Sequence, residues 1–430
     1  MATSAQRTDP HLRRDYYQQI AQAAEAATFD AVFFADGPAL RSEAAYSTAG
    51  RLEPITLLST IAAATERIGL IATASTTYYE PYNLARLFST LDFLSKGRAG
   101  WNIVTTSTDA AAENFGLPAH PDPAVRYQRA AEFVEAATRL WDSWEDDALL
   151  VDRAAGRYAD TDKIHRAEFV GEHLSVRGPF NAPRSPQGCP VLVQAGASDD
   201  GRGFAARYAE AIFTAHQSLE NAQAFYGDIK ARANALGRNP DHVVILPGIS
   251  PFIGGTEAEA KKLEQEFNEL TVPAYGLYQL RGIADVDLSD LDLDAPVPVS
   301  AFGGAGDVTS NSRSRKQVVA GIVERERPTV RQLLHRLAGA RGHRVVAGTP
   351  EQIADTITEW FTSGAADGFN VMPPYYPGGL DDFTSTVVPI LRSRNLFRTE
   401  YTGTTLRDHL GLPRPANQFA TARTAGRHAS

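Results

Sequence analysis

The sequence predicts an α/β fold of the (β/α)8 TIM-type barrel class with long insertions. Short runs that are apolar throughout alternate with amphipathic runs along most of the 430 residues, as parallel strands covered by helices on both faces do. Alternation over so long a chain favours a closed barrel over an open doubly wound sheet. No GxGxxG or GxxxxGK(S/T) motif follows the first apolar run, which disfavours folds that bind dinucleotides or nucleoside triphosphates.

Seven strands are predicted, and each is a short apolar run. They span residues 31–37, 68–75, 98–106, 190–196, 210–215, 243–250 and 367–374. Helices are predicted between them, with Pro54 suited to the first turn of one helix and Gly97 suited to the end of the next. A long helix follows the third strand, because Tyr127, Ala130 and Val134 recur on one face at helical spacing.

Two long stretches interrupt this alternation, at about 145–189 and 271–348. The second is rich in Asp, Gly, Ser and Pro, and a loop of that length in a compact domain is typical of a lid. We expect one domain over residues 1–414, followed by a flexible tail over 415–430.

The first helix has no strand before it, so the first strand of the barrel is expected to be missing from this chain. Either another element closes the barrel, or the true start lies upstream.

Composition narrows the class of protein. The chain carries 42 basic and 51 acidic residues, a net charge of −9, and no run of Lys or Arg, which disfavours nucleic acid as a partner. A single cysteine, Cys189, excludes a disulfide within the chain. No signal sequence or membrane-spanning run is present, so a cytoplasmic protein is expected. No HExxH, CxxC or carboxylate cluster indicates a metal site.

The stretch PVLVQAGASDDGRGFAARYAE, residues 190–210, joins an apolar strand to a helix through a glycine. Ser198, Asp199 and Asp200 are candidate N-caps. The N-terminus of a helix presents free amides and the positive end of the helix dipole, and such a corner can bind phosphate. Taken alone, the stretch is better interpreted as an ordinary capped turn, and the two aspartates disfavour an anion unless they point away.

Several long segments resemble one family. They include ATASTTYYEPYNLAR, GRAGWNIVTT, RYQRAAEFVEAATRLWDSWEDDAL, RSPQGCPVLVQAGASDDGRGFAARYAEAIF and FRTEYTGTTLRDHLGLP. They resemble the flavin-dependent monooxygenases of the bacterial luciferase superfamily, in the group of nitrilotriacetate and dibenzothiophene-sulfone monooxygenases. Within that group, the chain is most similar to members implicated in the breakdown of S-alkylated cysteines. The resemblance spans about residues 9–414.

The resemblance implies a set of residues that hold FMN. The phosphate would be bound by Ser198, by the amides of Asp199 and Gly201, and by the tyrosine of the RY motif, Tyr127. The flavin ring would lie beside Asp36, over Thr73 and near Thr106. The residues alone allow simpler interpretations, since an Asp before a glycine forms turns, Thr is common in strands, and a Tyr on an apolar helix face packs in the core.

The groups that handle protons are left open by the sequence. Relatives often carry a His four residues before the RY tyrosine, whereas this chain has Pro123 there and its nearest histidine is His120. Some relatives also carry a His just after the third predicted strand, at the position of Ser107. His216, just after the fifth predicted strand, is a candidate, although a lone His at a strand end is more often structural.

The resemblance implies a two-component monooxygenase. A separate NAD(P)H:flavin reductase would supply reduced FMN, which reacts with O2 to oxygenate a small organosulfur or amine compound with cleavage of a C–S or C–N bond. The predicted lid would keep water out during the reaction. Dimers and tetramers are common in the family. Two alternatives stay open: an F420-dependent oxidoreductase of the same superfamily, and a catalytically silent flavin-binding protein.

Overall fold

The computed structural model describes residues 10–40, 52–106, 109–196, 198–302, 310–338 and 343–420. The chain forms two compact units. The first consists of residues 1–39, 51–194 and 400–430, and the second of residues 40–50 and 195–399.

The first unit alternates helices with parallel strands. Its elements are α1 Arg14–Ala26, β1 Ala31–Phe34, α2 Pro54–Ala62, β2 Gly69–Ser75, α3 Pro81–Leu94, β3 Ala99–Val104, α4 Asp109–Asn114, α5 Pro123–Trp141, β4 Leu149–Asp152, β5 Arg157–Ala159, β6 Phe169–Val170, β7 Ser175–Val176, β8 Val191–Gln194 and α15 Leu406–His409. Strands β1, β2, β3 and β8 are adjacent in that order, and every pair is parallel. Within the described residues, α1 precedes the first strand.

The helices of this unit start where the sequence provides a suitable residue. Glu53 caps α2 by accepting hydrogen bonds from the amides of Ile55 and Thr56, and Pro54 occupies its first turn.

Strand β2 is buried along its whole length, which explains its unbroken apolar pattern. The stretch predicted as the first insertion contains two antiparallel hairpins, β4–β5 and β6–β7.

The second unit repeats the same alternation. Its elements are α6 Asp199–Tyr208, β9 Ala211–Thr214, α7 Leu219–Ala235, β10 Val244–Ile253, α8 Glu257–Glu269, α9 Pro273–Ala284, α10 Ser310–Glu326, α11 Val330–Ala338, β11 Arg344–Gly348, α12 Pro350–Thr362, β12 Asn370–Val371, α13 Gly378–Asp382 and α14 Val388–Ser393. Strand β10 pairs in parallel with β9, β11 and β12. A π-helical turn, Phe383–Val387, separates the last two helices.

Besides the four strands of the two hairpins, the structure adds one parallel strand, β11, to the seven that the sequence predicts. Strand β11 lies at the end of the segment 271–348, which the sequence interprets as a lid loop. The rest of that segment contains α9, α10 and α11, which enclose a hydrophobic core of their own. Its buried residues include Leu280, Val319, Ile322, Leu333 and Leu337. The described part of the segment is therefore a packed helical subdomain, and residues 303–309 and 339–342 lie outside the described residues.

The start of the predicted flexible tail is tied down by hydrogen bonds. The main-chain oxygen of Pro415 accepts a hydrogen bond from Arg184 at 2.6 Å, and the side-chain amide of Asn417 donates to the main-chain oxygens of Asp142 and Trp144, each at 2.8 Å. Residues 421–430 lie outside the described residues. Among the helices that the structure describes, none is long and apolar enough to cross a membrane.

Candidate functional site

Thr73 and Asn102 form a buried polar pair on adjacent strands of the first unit. The two residues are in register across β2 and β3, and the Asn102 side-chain amide donates to Thr73 Oγ1 at 2.8 Å. The neighbouring Trp101 packs against Phe88 of α3 and Phe133 of α5. Because successive side chains of a strand point to opposite faces, Asn102 and Thr73 lie on the face turned away from these helices.

This pair leaves one polar atom unsatisfied. Asn102 is 3% exposed, and its side-chain oxygen Oδ1 has no hydrogen-bond partner among the described residues. An unpaired buried acceptor costs free energy, of the order of 1–3 kcal/mol, unless a ligand or water satisfies it. The inner face of β2 and β3 therefore offers an acceptor to a bound molecule.

The turns that follow β2 and β3 are joined by side-chain hydrogen bonds. Thr106 Oγ1 donates to Ser75 Oγ at 2.8 Å, and Thr77 Oγ1 donates to the main-chain oxygen of Thr105 at 2.7 Å. Thr106 has a φ of +51°, in the left-handed region that is uncommon for a β-branched residue. These hydrogen bonds stabilise the strained turn. Thr106, which the family resemblance implies to lie near the flavin, is therefore held at the carboxyl end of β3.

Two arginines at the start of α5 brace the same turns. Arg126 is buried, and its guanidinium donates to the main-chain oxygens of Thr106 and Pro121. Arg129 donates to the main-chain oxygen of Thr76 at 3.1 Å. Burial lowers the pKa of Arg126, although the group stays a cation at neutral pH. Tyr127, the predicted phosphate ligand, lies half-buried on this first part of α5, beside Arg126.

His120 and Tyr78 meet next to these turns. The Tyr78 hydroxyl lies 2.8 Å from His120 Nδ1, and His120 Nε2 lies 2.8 Å from the main-chain oxygen of Thr106. The Tyr78 ring stacks on Phe115 with centroids 4.4 Å apart and planes 10° apart. Burial raises the pKa of Tyr78 and lowers the pKa of His120, so both groups are held in their neutral forms at pH 7.

Asp36 lies half-buried just after β1. Burial raises the pKa of Tyr79, and the negative charges of Glu53 and Asp36 raise it further. Asp36 is therefore close enough to Tyr79 for their charges to interact, at the carboxyl end of the strands of the first unit. Ser107, where some relatives carry a histidine, lies outside the described residues.

In the second unit, Ser198 caps α6. Its Oγ accepts a hydrogen bond from the Gly201 amide at 3.1 Å, so Ser198 is the N-cap among the three candidates named from the sequence. The Asp199 carboxylate accepts a hydrogen bond from Arg232 at 2.7 Å, so an arginine partly offsets its charge. The amide of Gly201 is already engaged by the cap. The Ser198 hydroxyl, which can donate while it accepts, and the amide of Asp199 remain the groups suited to an anion.

His216 lies just past β9 in the same unit. Its Nε2 is 2.6 Å from Thr214 Oγ1, and its ring lies 5.0 Å from the ring of Phe225. Burial, together with smaller contributions from the charge of Arg202 and from His343, lowers the pKa of His216 to about 4. His216 is therefore neutral at pH 7. Its contacts fit a packed structural residue as well as a reactive one.

Sequence reasoning missed Asn102, Arg126 and Tyr78 as site residues, although all three lie inside motifs that carried the family resemblance. Their roles depend on contacts between turns that are distant in the chain.

The described residues contain no group of three or more His, Cys, Asp or Glu side chains that could hold a metal ion.

Comparison with known proteins identifies the family. The family described as luciferase-like monooxygenase matches residues 1–367. N-acetyl-S-(2-succino)cysteine monooxygenase of Bacillus subtilis (strain 168) is 46% identical over 414 residues, which cover 96% of this chain and 93% of that protein. Nitrilotriacetate monooxygenase component A of Aminobacter aminovorans is 46% identical over 426 residues, with the same coverage of both chains.

A solved structure gives the same result for the fold. The crystal structure of riboflavin lyase with modified FMN and substrate riboflavin matches with a TM-score of 0.84 and 34% identity, over 94% of this chain and 90% of that one. The chain belongs to the luciferase-like monooxygenase family, and it is a two-component flavin-dependent monooxygenase. The match confirms the predicted TIM-type barrel class, and the family favours a monooxygenase over the two alternatives that the sequence left open.

Proposed function

We propose that this protein uses reduced FMN, supplied by a separate NAD(P)H:flavin reductase, and O2 to oxygenate a small organosulfur or amine compound, with cleavage of a C–S or C–N bond. The two relatives at 46% identity support the substrate class, because their names specify a thioether of cysteine and a tertiary amine. Both of those compounds are also carboxylates. Bound reduced FMN supplies the reaction with O2, and the protein supplies binding, orientation and exclusion of water.

The observation that carries the proposal is the buried Thr73–Asn102 pair. A flavin ring presents both hydrogen-bond donors and acceptors along its edge, and the unpaired Asn102 Oδ1 is an acceptor on the inner face of β2 and β3. We propose that the ring binds against this pair. Thr106, Tyr127 and Asp36 of the same unit are proposed as further contacts of the cofactor.

In the second unit, we propose that the FMN phosphate binds the N-terminus of α6. The Ser198 hydroxyl and the Asp199 amide would donate to it, and the helix dipole favours its negative charge. The Gly201 amide, which donates to Ser198 in this structure, would contribute if the hydroxyl turned from acceptor to donor. The pairing of the Asp199 carboxylate with Arg232 reduces its repulsion of the phosphate.

Four further expectations complete the proposal. The helical subdomain within residues 271–338 is proposed to exclude water from the reaction, which is the role of a lid. The protein is proposed to act in the cytoplasm as a dimer or tetramer. His216, buried and neutral beside Thr214, is proposed as a candidate proton acceptor.

The test is to mix the protein without oxygen with reduced FMN, then with oxygenated buffer and a test compound. Test compounds are a thioether carboxylate and a tertiary amine carboxylate. Product and released hydrogen peroxide are both quantified. We expect cleaved product from at least one compound, with hydrogen peroxide well below the FMN consumed. Stoichiometric hydrogen peroxide and no product with either compound would overturn the proposed reaction.

The site assignment is tested separately by binding. Asn102→Leu removes the unpaired acceptor, and Ser198→Ala removes the cap hydroxyl. Each is expected to weaken binding of reduced FMN about tenfold or more in an anaerobic absorbance titration, since a lost hydrogen bond to a polar ligand costs about 1–2 kcal/mol. Ser289→Ala, a serine exposed on the helical subdomain, serves as the control. Unchanged affinity in both test variants would show that FMN binds elsewhere.

A further inference from the structure

The hydrogen bonds around His120 determine where its proton lies. A main-chain oxygen can only accept, so the contact of 2.8 Å between His120 Nε2 and the oxygen of Thr106 requires a hydrogen on Nε2. In the neutral ring, Nδ1 is then an acceptor. The Tyr78 hydroxyl therefore donates to Nδ1, and the lone pairs of the phenol oxygen are left to accept a hydrogen bond from another group.

Both ends of the pair are fixed in place. The Tyr78 ring is stacked on Phe115, and the amide of His120 donates to Asp109 Oδ1 at 3.0 Å. Tyr78 lies three residues beyond the end of β2, at the carboxyl end of the strands where barrel active sites form. A tyrosine held rigidly with its proton directed to a histidine, in such a place, has the geometry of a proton acceptor backed by a second base.

We propose that Tyr78 contacts the substrate and forms a proton relay with His120 that drives the bond cleavage after oxygenation. This inference rests on the proposed function, and it names the residues that complete it. Oxygenation of the carbon next to sulfur or nitrogen gives a carbon that bears both a hydroxyl and the heteroatom. The relay removes the hydroxyl proton and returns it to the leaving heteroatom.

The step balances without any other reactant. The substrate hydroxyl gives its proton to the Tyr78 oxygen as the Tyr78 proton moves to His120 Nδ1, so the imidazole becomes an imidazolium. A carbonyl forms while the C–S or C–N bond breaks. The electron pair of the broken bond leaves with the sulfur or nitrogen. The reverse transfer returns one proton through Tyr78 to the thiolate or amide anion, which leaves as a thiol or an amine. Nothing is oxidised or reduced in this step, and the relay ends in its starting state.

The charges around His120 favour the return of the proton. The ring is faced by Tyr78 from the turn after β2, by Asp109 of α4 and by Arg126 of α5. Burial and the Arg126 charge lower the pKa of His120, the hydrogen bond to Thr106 and the Asp109 charge raise it, and the net shift is downward. The imidazolium is therefore a short-lived acid that readily gives up its proton. At low pH, a His120 that is already protonated cannot accept, so cleavage is expected to slow as the pH falls.

The experiment compares two variants in the full-length protein. Tyr78→Phe removes the transferred proton, and His120→Asn can still accept the Tyr78 hydrogen bond through its amide oxygen but cannot take up a proton. Both are expected to lower kcat about 100-fold, the usual contribution of a general base, with the affinity for reduced FMN unchanged. The fall of kcat at low pH is expected to disappear in His120→Asn. Tyr158→Phe, at an exposed tyrosine of β5, is the control.

Nitrogen NMR of the histidines provides a readout besides activity. The wild type is expected to show a neutral His120 with its hydrogen on Nε2, and Tyr78→Phe is expected to shift the Nδ1 resonance. A hydrogen on Nδ1, or kcat within twofold of wild type in both variants, would overturn the relay while product formation still supports the monooxygenase. A wild type that forms no product would overturn the proposed function itself and remove the step that the relay serves.

Discussion

Arg184 and Asp142 form an ion pair inside the first unit. Arg184 Nε lies 2.9 Å from Asp142 Oδ1, and the two side chains are only 2% and 7% exposed. The same guanidinium donates to the main-chain oxygen of Pro415. The pair therefore links the end of α5 to the C-terminal segment, which the sequence alone predicts to be flexible from residue 415.

Removal of one partner of this ion pair is expected to lower the free energy of unfolding substantially. Arg184→Met leaves the Asp142 carboxylate buried without its cation, and such a change destabilises proteins by about 3–5 kcal/mol. Urea unfolding should show a loss of that size. Arg414→Met is the control, because Arg414 pairs with Asp146 at a half-exposed position and surface pairs contribute about 1 kcal/mol or less. Equal losses in the two variants would show that the buried pair has no special role.

Arg98 gives a second prediction, because it satisfies carbonyl groups and not a carboxylate. The side chain is 2% exposed and donates to the main-chain oxygens of Ala62, Thr65, Ile68 and Ser95. Lysine keeps the charge but lacks the planar set of five donors.

Arg98→Lys is therefore expected to lower the free energy of unfolding by about 2–4 kcal/mol, because several buried acceptors lose their partners. Lys96→Arg, two residues away and exposed beside Glu66, should change it by less than about 0.5 kcal/mol. Urea or thermal unfolding of both variants measures the difference. A tolerated Arg98→Lys would mean that water replaces the lost donors.

The strands of the sheets were largely predictable from the sequence, and β11 shows the limit. Each of the seven predicted strands lies in a short apolar run of the sequence, whereas β11 begins with Arg344. The Arg344 side chain is half-buried in the structure. The guanidinium lies 5.1 Å from the centroid of the Trp360 ring and donates to the main-chain oxygen of Gln217 at 2.8 Å. Both partners are distant in the chain, so apolar periodicity could not find this strand.

The candidate site was predictable only where it lies in a local pattern. The Ser198 cap follows from a strand, a glycine and a run of capping residues within ten positions. The contact between Tyr78 and His120 joins residues that are 42 positions apart and depends on the path of two turns. The unpaired Asn102 oxygen likewise depends on which face of β3 the side chain occupies. Neither has a signature in a single sequence.

The third prediction is that alanine substitutions at two glycines change the stability of the protein in opposite directions. A Cβ added to Gly248 would lie 2.1 Å from His343 Nδ1, so Gly248→Ala is expected to destabilise the protein by about 1–3 kcal/mol through the clash. A Cβ added to Gly227, exposed in the middle of α7, meets nothing within 4 Å. Gly227→Ala should stabilise by about 0.5–1 kcal/mol, since alanine has the higher helix propensity. Thermal unfolding should move the two midpoints in opposite directions, and a shared direction would contradict the packing of His343.

The pH dependence of stability gives the last prediction, and it depends on His216. An unfolded histidine has a pKa near 6.5, and burial lowers the pKa of His216 in the folded protein to about 4. Between these values the unfolded chain binds the proton and the folded chain does not. Stability therefore increases as the pH rises through this window and is lost as the pH falls from 6.5 to 4.

His216→Gln removes this titration while keeping a polar side chain near Thr214. The linked loss for a shift from 6.5 to about 4 is about 3 kcal/mol, so the stability of the wild type relative to His216→Gln should fall by up to that amount between pH 7 and pH 4. Urea unfolding at intervals of half a pH unit measures it, and the subtraction cancels the other titrating groups. His242→Gln, on the turn before β10, is the control and should follow the wild type. A constant difference across the window would show that His216 is already accessible to protons in the folded protein.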